Sequence, residues 1–457
     1  MLALKYEFKR LFSGTVYNIS ILVFLLSGLL AIHLGGESFN RIQQAQQQSI
    51  IAFDKQTAQL KLAPKLPEMG SIAYYATAPT TWQLNGWAAL FKGQSQNNLT
   101  SMSVNALALQ GQIYNKEFIN PDKHRAGGFD LGFVLAYMLP LLIGVLSINL
   151  LSDEKQSGRW SLLSSFPGNA AQQMIIRLLG LRFALVSLLV IILFSYAAIS
   201  LSLPIDYQFT TLLFLSILYC LFWFVVATII LSLNKGNLIN TLLFISTWLV
   251  FAILIPGTIH LAMSEKFNHN APLKASTQQR MVLNDGWDQD KHQALTEFSQ
   301  LYPEFSEKLT FEGRFHWKWY YAMQHLSDLS VAHHWSAHTE NIYSKERWLN
   351  KVSWLSPNLS FQRLLNKSAN TNSLSHLEYL KQVESYHTEI REFIYPYLFN
   401  DTPVTVEDVD KFPRFEARQV TLTTTSMNYL PHGLFFLILI VLLTGWVKLR
   451  FKKLAVC

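Results

Sequence analysis

Residues 131–160 read LGFVLAYMLPLLIGVLSINLLSDEKQSGRW. An apolar run fills 131–151 and then breaks into Ser152-Asp153-Glu154-Lys155-Gln156-Ser157-Gly158-Arg159-Trp160. A helix needs ~20 apolar residues to cross a bilayer, so the run reads as a membrane span and the polar stretch as its landing on one face. Working outward, similar runs lie near 15–35, 181–203, 209–233, 238–262 and 431–449. The expected fold is therefore mainly α: a polytopic membrane protein with six transmembrane helices and a largely helical extracytoplasmic domain.

Half of the 457 residues are hydrophobic and only 15% are charged, against ~25% charged in soluble proteins. Cys220 sits in an apolar run and Cys457 at the end, so no disulfide framework reports a redox compartment. The net charge of +7 has a telling placement. Lys5, Lys9 and Arg10 precede the first run, and Lys448, Arg450, Lys452 and Lys453 follow the last. That is the positive-inside pattern, and it accounts for the excess as topology and not as a nucleic-acid footprint. It predicts a multi-pass membrane protein with both termini cytoplasmic.

Within 1–14, Leu4, Phe8, Leu11 and Phe12 share one helical face and Lys5 and Lys9 lie elsewhere, the pattern of an interfacial helix touching membrane lipid. A cleaved signal peptide is disfavoured because the run is long and no small-residue site follows Leu34. After the span 15–35 comes a first extracytoplasmic segment, 36–130, with a polar helix over 36–60 that Pro64 and Pro67 end. Residues 70–110 mix Tyr74, Tyr75, Trp82 and Trp87 with small residues and assign no element. Residues 131–262 hold spans two to five, with a cytoplasmic loop at 152–172. A second extracytoplasmic segment, 263–430, reads as helical over 272–300, 314–353 and 374–399, and Ser356-Pro357-Asn358 suits a helix entry. The last span and a basic tail occupy 431–457.

The loop carries the chemistry. Trp160, Leu163 and Phe166 form one face of a short helix that Pro167 and Gly168 stop. Such a helix can seat in a groove of a cytosolic domain, and an ordinary connection resting on headgroups fits the same pattern. The order of entry helix, span, outer segment, span, Glu-x-x-x-Gly loop with a following proline, and four more spans resembles a type-2 ABC transporter permease. Glu154, Gly158, Leu162, Leu163 and Pro167 match that pattern; Trp160 departs from it, where small or polar residues are usual. Gly127-Gly128-Phe129-Asp130 running into Phe133-Val134-Leu135-Ala136-Tyr137-Met138, and Leu355-Ser356-Pro357 followed by His376 to Tyr386, are similar to a subfamily with two large extracytoplasmic insertions.

The resemblance implies a place in a bacterial cytoplasmic (inner) membrane, ABC ATPase subunits docking on Glu154–Pro167, Arg159 included, and a second permease subunit, identical or related. ATP and magnesium would belong to the partner ATPase. No Gly-x-x-x-x-Gly-Lys-Ser/Thr loop occurs in this chain, so it is expected to be no enzyme and to hold no cofactor of its own. Intramembrane charges are few, which disfavours a small ion as cargo and favours export of an amphipathic, lipid-like or peptide molecule. The alternative is an ATP-driven transmitter that works extracytoplasmic partners without moving cargo. An anchored scaffold with no ATPase is a third reading, against which the Glu154–Gly158 loop speaks.

His334 and His338 have the spacing of a two-ligand clip for zinc or copper. No third ligand is placed, though Glu340 could contribute, and a His- and Trp-rich surface helix is the preferred reading. Asp130 reads as an interfacial residue, Asn149 and Asn240 as interhelical glue, and Pro140 and Pro256 as static kinks. Reporter fusions should place residues 50 and 340 outside and residues 160 and 455 inside; position 340 in the cytoplasm would sink this topology.

Overall fold

The computed structural model describes residues 12, 14–116, 128–165, 170–267, 271–309, 313, 315–418 and 430–454. The interfacial helix expected over 1–14 falls almost wholly outside them, as do Gly127, Phe166, Pro167 and Gly168. Helix α1 (Thr15–Lys61) is continuous, its apolar first half running into the glutamine-rich shaft. Then come α2 (Met69–Tyr75), β1 (Ala78–Thr81), β2 (Ser101–Val104) and α3 (Leu109–Lys116). The strands pair antiparallel, Ala78 opposite Val104 and Thr81 opposite Ser101, in the stretch where the pattern assigned nothing. Next are α4 (131–147), α5 (Leu150–Gln156), α6 (Arg159–Ser164), α7 (Ala170–Ser200), α8 (Tyr207–Ser232) and α9 (Asn237–Lys266). The second polar segment supplies α10 (Ala271–Asp288), α11 (Lys291–Leu301), α12 (Trp317–Val352), α13 (Pro357–Ser368), α14 (Ser373–Phe399) and α15 (Val406–Asp410), and α16 (Leu430–Leu454) closes the chain.

Among the described residues, five helices are long and apolar enough to cross a membrane: α1, α4 with α5, α7, α8 and α9. The sixth expected span falls on α16, whose described side chains form an apolar stretch over Leu430–Gly445, with Lys448, Arg450, Lys452 and Lys453 further along. It packs on α8, with Phe436 against Tyr219 and Phe222. These apolar helices mark a membrane-embedded, multi-pass protein. Their shared core joins α1, α4, α7, α8 and α16 with Phe361, Leu364 and Leu365 of α13. Close approach is set by Gly35 of α1, where a Cβ would overlap the Ala89 carbonyl oxygen.

Pro140 and Pro256 do more than kink their helices. Each follows a π-helical turn, Val134–Met138 in α4 and Val250–Leu254 in α9. A proline ring clashes with the carbonyl four residues back and offers no N–H to it, and the wider turn relieves the clash. The freed carbonyls then need other donors, since hydrocarbon supplies none. Residue 140 would have served Ala136; instead Tyr219 Oη donates to the Ala136 carbonyl at 2.8 Å and Asn358 Nδ2 donates to it at 2.8 Å. Trp248 Nε1 donates to the Tyr137 carbonyl at 3.2 Å. In α9, the Ile255 N–H reaches Val250, and the Phe251 carbonyl is served by Ser356 Oγ at 2.5 Å.

Two of these donors belong to the start of α13. Ser356 caps the helix, accepting from the Leu359 N–H at 3.1 Å, so the entry expected at Ser356-Pro357-Asn358 is present. Tyr137 Oη donates to Gln362 at 2.8 Å, and Phe361 stacks on Tyr219 at 4.2 Å. The second polar segment is thereby fastened to both proline-broken helices. Its own core unites the two polar segments: Phe53, Met102, Val104, Trp319, Tyr395 and Phe399 are buried together. A buried Arg391 on α14 donates to Asp328 at 2.7 Å and to the Ala106 and Leu107 carbonyls at 3.2 Å. Asp328 in turn accepts from the Leu109 N–H at 3.0 Å.

Tyr219→Phe and Asn358→Ala should each lower thermal stability modestly, because the other donor still serves Ala136. The double variant strips both and should cost about 1–3 kcal/mol beyond the sum, read by thermal unfolding in detergent. Strict additivity would contradict the shared-carbonyl account.

Candidate functional site

The expected loop at 152–172 is mostly helix. The chain leaves α4 at Asn149, whose carbonyl accepts from the Asp153 N–H at 2.9 Å and opens α5. Leu150 and Leu151 are buried against Ile175 and Leu178 of α7 and Leu231 of α8, with Trp160, Met174 and Leu179 packed around them. This cluster pins α5 and dictates which way its next turn points. Glu154 therefore lies on the inner side, 1% exposed.

A buried carboxylate is costly unless paired and hydrogen-bonded. Arg159 supplies the partner: Nε donates to Oε2 at 2.8 Å and Nη2 to Oε1 at 3.4 Å. That hydrogen bond raises the Arg159 pKa. The guanidinium is half in water, so the pair contributes less than a fully buried one. Reaching back five residues requires a tight reversal, and Ser157-Gly158 provides it. Gly158 has φ +73°, a left-handed conformation that costs other residues roughly 1–2 kcal/mol. No atom lies within 4 Å of where its Cβ would be, so the backbone, and not packing within this chain, requires glycine there.

Helix α6 then carries Leu162 out to 66% exposure. Trp160 turns the other way, half-buried against the α7 cluster with Lys155 Nζ 5.8 Å from its ring centre. Its bulk, the departure from the permease pattern, fills space inside this chain. Glu154, Gly158, Arg159 and Trp160 are thus brought together. Leu162 projects outward, Leu163 lies within α6, and Pro167 lies outside the described residues.

A second turn lies at this end of the bundle, at 234–237, where the sequence pattern marks a tight link between two spans. Asn234-Lys235-Gly236-Asn237 links α8 to α9, with Asn234 at φ +56°. Lys155 donates to Asn234 at 2.6 Å, and Asn237 donates to Asp153 at 2.8 Å. Asn240, buried on α9, donates to the Ile148 carbonyl at 3.2 Å and the Lys235 carbonyl at 3.3 Å. The signal was a cluster of turn-formers between two spans. It announced a turn and not its partner.

The other candidates lie elsewhere. His334 is engaged with Gln278 at 2.6 Å, and His338 packs on the Trp335 ring at 5.9 Å, its pKa pushed down to about 4 by burial and then by Lys345. Among the described residues no group of three or more His, Cys, Asp or Glu is placed to hold a metal ion. Asp130 caps α4, accepting from the Phe133 N–H at 2.8 Å and the Lys92 N–H at 2.9 Å, and burial raises its pKa.

Residues 273–418, which hold the second polar segment from α10 to just past α15, match a family described as "Domain of unknown function (DUF3526)". The match spans under half of the chain. No curated protein and no solved structure matches this chain.

Proposed function

We propose that this chain is the membrane subunit of a bacterial ATP-driven transporter of type-2 ABC architecture, with a separate ATPase docked on the turn 150–164. The observation that carries the reading is the buried Glu154–Arg159 pair with left-handed Gly158, which together hold α6 with its bare Leu162 facing away from the bundle. A helix held this way suits a groove on a partner. Both termini and this turn would then face the cytoplasm, and both polar segments would be extracytoplasmic. The α9 helix leaves Leu238, Leu242 and Ile253 exposed in the single chain, surface that lipid or a second permease subunit would cover. ATP and magnesium would be held by the partner, and the cargo would be amphipathic, lipid-like or a peptide.

Mechanically, a push on α6 is carried by Arg159 to Glu154 and by the Leu150–Ile175–Leu231 cluster to α4, α7 and α8. From α4 and α9 it reaches the outer helices through Asn358 and Ser356. That direct fastening is a specific observation in favour of the second reading, a transmitter that works extracytoplasmic partners without moving cargo.

Glu154→Ala removes the buried carboxylate, and Gly158→Leu imposes strain of roughly 1–2 kcal/mol at the left-handed turn. Both variants should insert normally yet lose ATPase co-purification and ATPase stimulation. Wild-type values for both would place the docking surface elsewhere.

A further inference from the structure

Between the second polar segment and the ends of α9 and α16 lies a cavity of about 690 Å³, within the roughly 300–1,000 Å³ of small-ligand sites. Met263 near the end of α9 and Pro431 and His432 at the start of α16 reach its wall. Trp354 also lines it and packs on His432 at 5.0 Å and Phe435 at 4.8 Å. Within two residues of these wall residues, Leu261, Leu355 and Leu430 are all more than half exposed. A tryptophan and bare leucines at span ends are the signature of the membrane interface. The cavity therefore sits at that level, with an apolar rim.

Its interior is cationic. Lys345, Arg363 and Lys367 line it against one carboxylate, Glu346. Arg363 is committed, donating to Glu346 at 2.9 Å and to Asn350 at 2.8 Å. Lys367 Nζ makes no hydrogen bond or ion pair among the described residues, and burial lowers the pKa of both Lys367 and Lys345. The remaining titratable groups on the wall are imidazoles, His338, His376 and His432. His376 is 8% exposed, and its Nε2 is buried without a partner. Its ring is fixed against Trp82 at 5.0 Å and donates to the Leu99 carbonyl. In the neutral ring Nε2 is then a lone pair awaiting a donor. Buried polar groups are nearly always satisfied, so an occupant should bring both an anion for Lys367 and a hydroxyl for the histidine.

We propose that this cavity binds the headgroup of an anionic phospholipid. The phosphate lies by Lys345 and Lys367, a headgroup hydroxyl donates to His376 Nε2, and the acyl chains leave past Leu355 and Leu430. A free anion would satisfy Lys367 but leaves the apolar rim without a role. The site stands apart from the turn at Glu154, so it does not depend on ATPase docking.

The test uses the full-length protein in detergent, titrated with phosphatidylglycerol and followed by native mass spectrometry. One saturable adduct is expected, preferred over phosphatidylcholine and not displaced by an equal concentration of inorganic phosphate. Lys367→Gln, with an unchanged melting temperature, should weaken that adduct about tenfold, the worth of one charge-assisted contact. In the unmutated protein a diazirine-bearing phosphatidylglycerol should label peptides carrying Trp354 or His432. Equal binding of phosphatidylcholine, displacement by phosphate, an unaffected Lys367→Gln, or labelling confined to other regions would each overturn the proposal.

Discussion

A backbone carbonyl inside a membrane must find its donor within the protein, because lipid offers none. In this chain two prolines, Pro140 and Pro256, remove such donors from otherwise regular apolar helices. The answer is built from distant sequence: Tyr219 on α8, Trp248 on α9, and Ser356 and Asn358 at the start of α13. Helix α13 is therefore neither wholly part of the polar segment nor of the apolar bundle. It supplies Phe361 to the bundle core and Lys367 to the cavity above it. The polar segment above α13 is held together by the buried Arg391–Asp328 pair, so the fastening extends from the helix breaks into both polar segments.

At the other end of the same helices the same economy of partners recurs. Glu154 is buried and would be intolerable alone; Arg159, the reversal at Gly158 and the tie from Asn237 to Asp153 make it stable and stiff. A stiff projecting turn at one end and a fastened helix at the other make α4 and α9 natural carriers of displacement. This is why the proposed function centres on transmission between two faces, with cargo movement or work on outer partners as its output.

Hydropathy made most of the fold legible, since span-length apolar runs admit few other readings. Five helices follow it closely, and the apolar stretch of α16, Leu430–Gly445, overlaps the sixth expected run. Glu154 and Gly158 were legible as a pair by spacing, but the reason for the glycine, a positive φ, is a property of the backbone path. The β1–β2 pair was illegible, because strands of four residues each carry too little period to read. The π-turns and their donors were illegible for another cause: Pro140 signals that a carbonyl is orphaned, yet nothing local names Asn358, 218 residues on, as its partner. The cavity lined by Lys345 and Lys367 is likewise a meeting of α9, α12, α13, α14 and α16 that no single stretch announces.

The central claim is that α6 is the seat of a nucleotide-hydrolysing partner, and Leu162 is the residue that should touch it. A photo-crosslinking side chain placed at Leu162 in cells, followed by mass spectrometry of the adduct, tests this directly. The account predicts capture of a polypeptide carrying a Gly-x-x-x-x-Gly-Lys-Ser/Thr phosphate loop. Adducts to lipid alone, or to a protein without such a loop, would contradict it.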